Sequence, residues 1–196
     1  MLIEFKCSNF RSFKGDACLS MLPVNAYKER PDNMAPVRPA GTNAAGVLSV
    51  AVIYGPNASG KTNLLKAMDF ARGIVLGRVP LGNGGVREAF VNNAGEPSLF
   101  SFSILLGMTR FSYEFVIDDR GVVRETLKAQ PKSERLVFER FLLDDGTYRV
   151  KQGSTYTGIS SKLKGFTDNG LVIGLLSKFG VADCVTVFDW FVNGLR

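Results

Sequence analysis

The sequence contains no histidine, only three cysteines and no long uninterrupted apolar run. Without histidine, neither a Ser/His nor a Cys/His arrangement can activate a nucleophile, and a zinc site loses one of its main ligands. The thiols of Cys7, Cys18 and Cys184 are too few and too scattered for a disulfide framework, so we expect them to be buried. No apolar stretch reaches the roughly 18 residues of a membrane helix, and Glu4 and Lys6 interrupt any leader peptide. We therefore expect a cytoplasmic protein with no membrane partner.

Charge is in moderate excess but is not concentrated. The 196 residues include 24 Lys and Arg against 18 Asp and Glu, a formal net charge of +6. No five basic residues follow one another, so the excess permits association with DNA or another acidic partner without defining a site. A solvated basic surface is the alternative. A chain that is 45% hydrophobic and 21% charged has the composition of an ordinary globular domain.

The most informative stretch is residues 55–62, which match the phosphate-binding pattern G-x-x-x-x-G-K-[ST] at every fixed position. Residues 48–54 form an apolar, β-branched run before it, which predicts a buried strand aimed at the loop. Apolar side chains recur at helical spacing over residues 63–77, where Gly77 is placed to end a helix. The order strand, loop, helix is the context that this motif requires. A glycine turn that matches by chance is the alternative.

The residue types of the loop explain the chemistry that the pattern predicts. Glycines allow backbone amides to converge on phosphate oxygens at the positive end of the following helix. Lys61 should reach the β and γ phosphates, and the Thr62 hydroxyl should complete the coordination of Mg²⁺. The predicted nucleotide-binding residues of the loop are Gly55, Pro56, Asn57, Ala58, Ser59, Gly60, Lys61 and Thr62.

Two further regions precede and follow this unit. Alternating residues predict strands over 2–8 and 17–22, paired as a hairpin within residues 1–22. Residues 23–46 are proline-rich and predict a long loop, from which Tyr27 could cover the base; a surface excursion is the alternative. Residues 78–97 read as a connector because they are rich in glycine and asparagine.

The second half of the chain predicts an antiparallel meander over residues 98–150, followed by helices over residues 170–196. Period-two runs separated by turn residues predict strands at 99–106, 110–117, 122–128, 135–141 and 147–150. Asp118 and Asp119 imitate the acidic pair of an ATPase strand, but their position between two alternating runs favours a hairpin turn. The aromatic residues of these strands are predicted to pack in the core: Phe102, Phe111, Tyr113, Phe115, Phe138 and Phe141. Two apolar segments, 171–179 and 184–195, predict the C-terminal helices.

Four stretches carry a resemblance to a known family: N-F-R-S-F at residues 9–13, the loop and its flanks at 54–67, and residues 134–140 and 189–191. Together they resemble the amino-terminal half of an SMC-like or RecF-like ABC ATPase. More narrowly, they resemble prokaryotic AAA family ATP-binding proteins of the overcoming-lysogenization-defect and abortive-infection type, which occur in phage-defence and retron systems. The resemblance covers nearly the whole chain.

This resemblance implies an α/β fold, the N-terminal lobe of an ABC-type head, over residues 1–196. By position, Arg11 would approach the nucleotide, Asn57 would brace the loop, and Asn63 would extend the nucleotide site. ATP and Mg²⁺ would be the ligands, held between two heads of a homodimer that gates a partner nuclease or toxin. The family's signature motif, its Asp-Glu strand and its switch histidine do not occur here, so we expect half a head, either a truncated product or part of a longer protein.

Whether this segment hydrolyses ATP is therefore left open by the sequence. The main alternative is a non-catalytic DNA-tethering or protein-interaction module that uses nucleotide structurally or not at all. A small-molecule phosphotransferase is disfavoured because the phosphate loop comes late and no cluster of lid arginines is visible.

Overall fold

The computed structural model describes residues 1–24, 31–82, 87–164, 166 and 170–195. Tyr27, the predicted cover of the base, lies outside these residues. The strands are β1 (Leu2–Ser8), β2 (Ala17–Ser20), β3 (Met34–Ala35), β4 (Val47–Leu48), β5 (Ser98–Leu106), β6 (Thr109–Asp118), β7 (Gly121–Gln130), β8 (Arg135–Leu142) and β9 (Tyr148–Gln152). The helices are α1 (Lys61–Val75), α2 (Ile159–Lys162), α3 (Ile173–Lys178) and α4 (Ala182–Asp189), and a π-helical turn (Trp190–Gly194) follows α4.

A seven-stranded antiparallel sheet forms the body of this mixed α/β fold. Its strand order is β2-β1-β5-β6-β7-β8-β9, and every neighbouring pair is antiparallel. The predicted hairpin and meander are both confirmed, and β1 joins them by pairing with β5. The turn between β6 and β7 falls at Asp119 and Arg120, and Asp118 ends β6 opposite Gly121, so the acidic pair lies at a hairpin turn, as predicted.

One face of the sheet packs against α1, α3 and α4, and their buried side chains form a continuous core with it. Most of the predicted core aromatics lie there, but Phe141 does not. It lies opposite Arg124 on the other face, while Arg140 points into the core and is almost fully buried. The register of β7 with β8 shifts between Leu127 and Lys128, which inserts Val137 as an extra residue and reverses the phase of the alternation. The prediction for Phe141 was therefore wrong.

The predicted helices are present. The phosphate-loop helix is α1, and Gly77, with φ +68°, follows its last turn. In the C-terminal region, α3 falls within the predicted segment 171–179, and α4 with its π-helical turn covers most of 184–195. The short helix α2 was not predicted.

The predicted buried strand before the phosphate loop is not observed. Only β4 is a strand, paired with β3, and residues 49–59 have no regular structure. Val50, Val52 and Tyr54 are 73%, 79% and 89% exposed. A buried parallel strand needs a hydrogen-bonded neighbour on each side, and no strand of the described residues pairs with this segment. The apolar pattern is therefore present in the sequence without the partners that would bury it.

The cysteines are free, and two of them are buried as predicted. Cys18 is exposed, which corrects the third prediction: it lies on the edge strand β2, opposite Lys6 on the solvent face of the sheet. Burial raises the pKa of the Cys7 thiol to about 12. This thiol therefore stays protonated and unreactive at neutral pH.

A buried carboxylate joins the sheet to the C-terminal helices. Glu125 of β7 is fully buried; it accepts hydrogen bonds from the Tyr113 hydroxyl at 2.9 Å and from the amides of Val172 at 2.8 Å and Ile173 at 3.0 Å. These two amides belong to the N-terminus of α3, where a negative charge is favourable. The cross-strand neighbour of Glu125 is Arg140, whose guanidinium donates to the carbonyl of Gly170 at 2.9 Å. Two charged side chains therefore hold the start of α3 on the sheet.

The buried carboxylate should also give the protein a characteristic pH dependence. Burial raises the pKa of Glu125 above its ordinary value of 4.5, although Arg140 and the three hydrogen bonds act in the opposite direction. The folded state then binds this proton more tightly, so the stabilisation that comes from protonating Glu125 is full below about pH 4.5 and is lost as the pH rises through the folded pKa. We expect the free energy of unfolding of the wild type, relative to Glu125→Gln, to fall as the pH rises above about 4.5 and through the folded pKa of Glu125. Urea titrations of both proteins at a series of pH values would measure this difference in the free energy of unfolding. An increase of the difference with pH would contradict the raised pKa.

Candidate nucleotide-binding site

The phosphate-binding pattern forms a loop that ends at the N-terminus of α1. Gly60 is the N-cap residue with φ +91°, a conformation that favours glycine, and no side chain caps the helix. Ala58 also has a positive φ, of +64°. The first amides of an α-helix have no intrahelical partner, and they carry the positive end of the helix dipole. The loop therefore presents unpaired backbone donors to an anion.

Lys61 closes this loop from inside. Its Nζ donates to the carbonyl oxygens of Gly55 at 2.7 Å and Pro56 at 2.6 Å, and lies 3.4 Å from the Ser59 hydroxyl. The ammonium group thus bridges the beginning and the end of the loop. An arriving phosphate would replace two neutral carbonyls with a charged partner, and hydrogen bonds between charged groups are the stronger ones.

The remaining predicted loop residues are accessible to a ligand. Asn57 and Thr62 are both exposed, and the predicted bracing role of Asn57 stays a prediction. Thr62 lies in the first turn of α1. A single hydroxyl fits Mg²⁺, which retains several waters and takes its other ligands from phosphate oxygens.

Asn63, also in the first turn of α1, contacts the first hairpin. Its Nδ2 donates to the Ser12 hydroxyl at 2.8 Å. The structure therefore brings residues 12 and 63 together across 51 positions of sequence.

Arg11 lies close to this contact but is engaged elsewhere. Its amide donates to the carbonyl of Glu88 at 2.7 Å, and its Nε forms an ion pair with the Glu88 carboxylate. The side chain borders a cleft of about 420 Å³ beside α1, where Lys66 and Arg78 also lie. A contact between Arg11 and nucleotide would require the guanidinium to leave Glu88, and this contact stays a prediction.

Sequence reasoning missed the role of Asn9. This residue is buried at φ +50°, and its Nδ2 lies 3.0 Å and 2.6 Å from the carbonyl oxygens of Asn93 and Glu96. Its Oδ1 accepts from the amide of Phe90 at 3.1 Å, and its own carbonyl accepts from the Ser98 hydroxyl at 2.7 Å. Asn9 thereby ties the hairpin to the segment that carries Glu88. The sequence did offer one signal for this role: an asparagine directly after a predicted strand, a residue type that tolerates the positive φ of a turn.

Replacing Asn9 with alanine should destabilise the fold by about 2 to 3 kcal/mol, because several buried backbone groups lose their partner and the positive φ becomes strained. Chemical denaturation would measure the loss. Asn57→Ala, at an exposed loop position, is the matched control. Equal stability of the two variants would show that the Asn9 contacts contribute little.

Acidic groups do not converge near the loop. Within the described ranges, no group of three or more His, Cys, Asp or Glu residues is placed to hold a metal ion. Asp119 is engaged by Arg87, with Nε 2.9 Å from Oδ1, and this hydrogen bond lowers the pKa of Asp119. Among the residues that the structure describes, no helix is long and apolar enough to cross a membrane.

A loop bounded by two glycines and followed by a lysine and a threonine at the start of a helix defines a P-loop nucleotide-binding protein. Residues 50–151 match the model of the AAA_21 family, whose description reads "AAA domain, putative AbiEii toxin, Type IV TA system". The chain belongs to this family of P-loop ATPases. The match begins just before the phosphate loop and ends within β9. No curated protein and no solved structure matches the chain.

Proposed function

We propose that the chain is the ATP-binding lobe of an SMC-like ATPase, in which binding of ATP and Mg²⁺ drives two heads together and thereby gates a partner effector. A nuclease or a toxin in anti-phage defence is the proposed effector. The observation that carries the proposal is the phosphate loop, with its open first-turn amides at α1 and Lys61 placed within the curve of the loop.

The family match supports the ATPase part of the proposal, and its description mentions an abortive-infection toxin and a toxin–antitoxin system. The hairpin that precedes the loop supports the SMC-like part. It places N-F-R-S-F at residues 9–13 directly against the N-terminus of α1, through the contact between Ser12 and Asn63.

The exposed segment before the loop supports the idea of a lobe that is completed by further polypeptide. Residues 50–54 form a contiguous exposed apolar stretch that a water-exposed loop does not need. A parallel strand supplied by the second half of an ABC-type head would bury this stretch and pair its backbone. That half would also bring the acidic residues that activate water beside the γ phosphate.

ATP turnover tests the proposal. The 196-residue chain would be assayed alone, together with the C-terminal half of the head, and with added DNA. Turnover that appears only on reconstitution is the expected result, because binding residues lie in this lobe and the hydrolytic acids do not. Absence of turnover in every combination would contradict a catalytic role.

A second candidate is a module that binds nucleotide without hydrolysing it. The position of Asp118 and Asp119 in a hairpin turn, where Arg120 and Arg87 engage them, favours this reading. Under it, ATP would stabilise the fold and promote association with DNA or protein, with no turnover in the reconstituted complex. The same assay therefore separates the two functions.

A further inference from the structure

We propose that Ser12 and Phe13, in the turn of the first hairpin, are positioning residues that hold the phosphate loop in its binding conformation. This inference rests on the proposed binding of ATP at the loop. In this proposal the hairpin supports nucleotide binding through two contacts at the start of α1, made by Ser12 and Phe13. Arg11 does not take part, because its side chain is paired with Glu88.

The turn is rigid enough to act as a support. Phe10 and Phe13 exchange backbone hydrogen bonds of 2.9 Å and 2.8 Å, so only Arg11 and Ser12 lie between them. Arg11 has φ +48°, and Asn9 anchors the preceding position by its buried hydrogen bonds. The ring of Phe10 is buried 5.2 Å from that of Phe70 in α1. The turn is thus fixed to the body of the helix before it reaches the loop.

Phe13 contacts the loop at its last glycine. A Cβ added to Gly60 would lie 3.1 Å from Cε1 and 3.3 Å from Cζ of Phe13, and 3.5 Å from the Ser12 hydroxyl. These distances leave little room for a side chain, so the aromatic ring lies directly against the backbone of the N-cap residue. The glycine is needed both for its positive φ and for this close approach.

Ser12 contacts α1 three residues later, through the hydrogen bond from Asn63. The two contacts therefore fall at Gly60 and Asn63, on either side of Lys61 and Thr62. The residues between them are those predicted to hold the phosphates and Mg²⁺. The hairpin turn fixes both ends of this functional segment.

Preorganisation explains why such contacts should matter for binding. The first turn of a helix lacks intrahelical partners for its amides and frays easily. If the turn is loose in the free protein, binding must order it, and the ordering cost lowers affinity without loss of any phosphate contact. Ser12 and Phe13 reduce this cost because they order the turn in advance.

The test uses the full chain with Ser12→Ala, Phe13→Ala, Asn63→Ala and the Ser12→Ala/Asn63→Ala double variant. Calorimetric titration with Mg·ATP should show about three- to tenfold weaker binding for each single variant, the size expected for one hydrogen bond or a partly exposed ring contact. The double variant should lose no more than Asn63→Ala alone, since both substitutions remove the same bond. Ser12→Thr keeps the hydroxyl and should restore wild-type affinity.

The control is Ser101→Ala, on the opposite face of the sheet from α1, paired across strands with Lys6 and Glu114. A second measurement is amide hydrogen exchange of residues 60–64 without nucleotide, which should accelerate in Ser12→Ala and not in the control. Ser12 is exposed, so its alanine variant should melt like the wild type even if Phe13→Ala fails to fold. Wild-type binding with equal affinity and exchange in all variants would overturn this inference alone. Failure of the wild type to bind ATP would overturn the proposed function and this inference with it.

Discussion

Replacing Lys61 with alanine should weaken binding of Mg·ATP by about 100-fold or more, because the ammonium group is the charge inside the curve of the phosphate loop. In the free protein this group bridges the carbonyl oxygens of Gly55 and Pro56, so its removal also loosens the empty loop. Both effects lower affinity. Equilibrium titration of the full chain would measure the change in Kd.

The matched control for this substitution is Lys66→Ala. Lys66 lies in the same helix, is exposed and borders the cleft beside α1 instead of the loop. It has the same side chain and the same helical context, so a general effect of charge would appear in both variants. Unchanged ATP affinity in Lys61→Ala, or equal losses in the two variants, would remove the role assigned to Lys61.

Replacing Glu125 with alanine should lower the free energy of unfolding by about 3 kcal/mol or more, because each buried donor that loses its acceptor costs about 1 to 3 kcal/mol. The substitution leaves the Tyr113 hydroxyl and the amides of Val172 and Ile173 without their acceptor. It also leaves Arg140 buried without the opposite charge of its cross-strand neighbour. Denaturant titration followed by circular dichroism would measure the loss.

Glu114→Ala is the control for Glu125→Ala, since Glu114 lies on the solvent face of the neighbouring strand and pairs with Arg124 at 2.5 Å. An exposed pair of this kind is worth about 0 to 1 kcal/mol. If Glu125→Ala is no more destabilising than Glu114→Ala, the buried carboxylate does not hold α3 on the sheet.

Much of the sheet could be predicted because its determinants are local. In β5 and β6, apolar and polar residues alternate, and the turn between β6 and β7 contains the expected Asp and Gly. The phase of β8 could not be predicted, because the extra residue Val137 depends on pairing with β7 and leaves no trace in the local pattern. This register shift buries Arg140 and places Phe141 on the opposite face, where it is only partly buried.

The segment before the phosphate loop shows a different limit. Its apolar pattern predicts burial, but burial of a strand depends on neighbours, and those are not supplied by the described residues. Composition alone cannot distinguish a strand that has partners from one that lacks them.

The loop itself was predictable from eight residues, because its pattern encodes the positive φ of Gly60 and the reach of Lys61. The contacts around it were not. Arg11 meets Glu88 across 77 positions of sequence, and Asn63 meets Ser12 across 51. Such pairs depend on the hairpin lying against α1 and against the segment that carries Glu88, which only the folded chain shows.

The most direct test of ATP binding at the phosphate loop is an amide NMR titration of the 196-residue chain with Mg·ATP. We expect saturable shifts that are concentrated in residues 55–63, with smaller changes at Ser12 and Phe13 and none along β7 to β9. Absence of saturable shifts, or shifts confined to the cleft formed by Lys66, Arg78 and Glu88, would contradict the assignment of the nucleotide site.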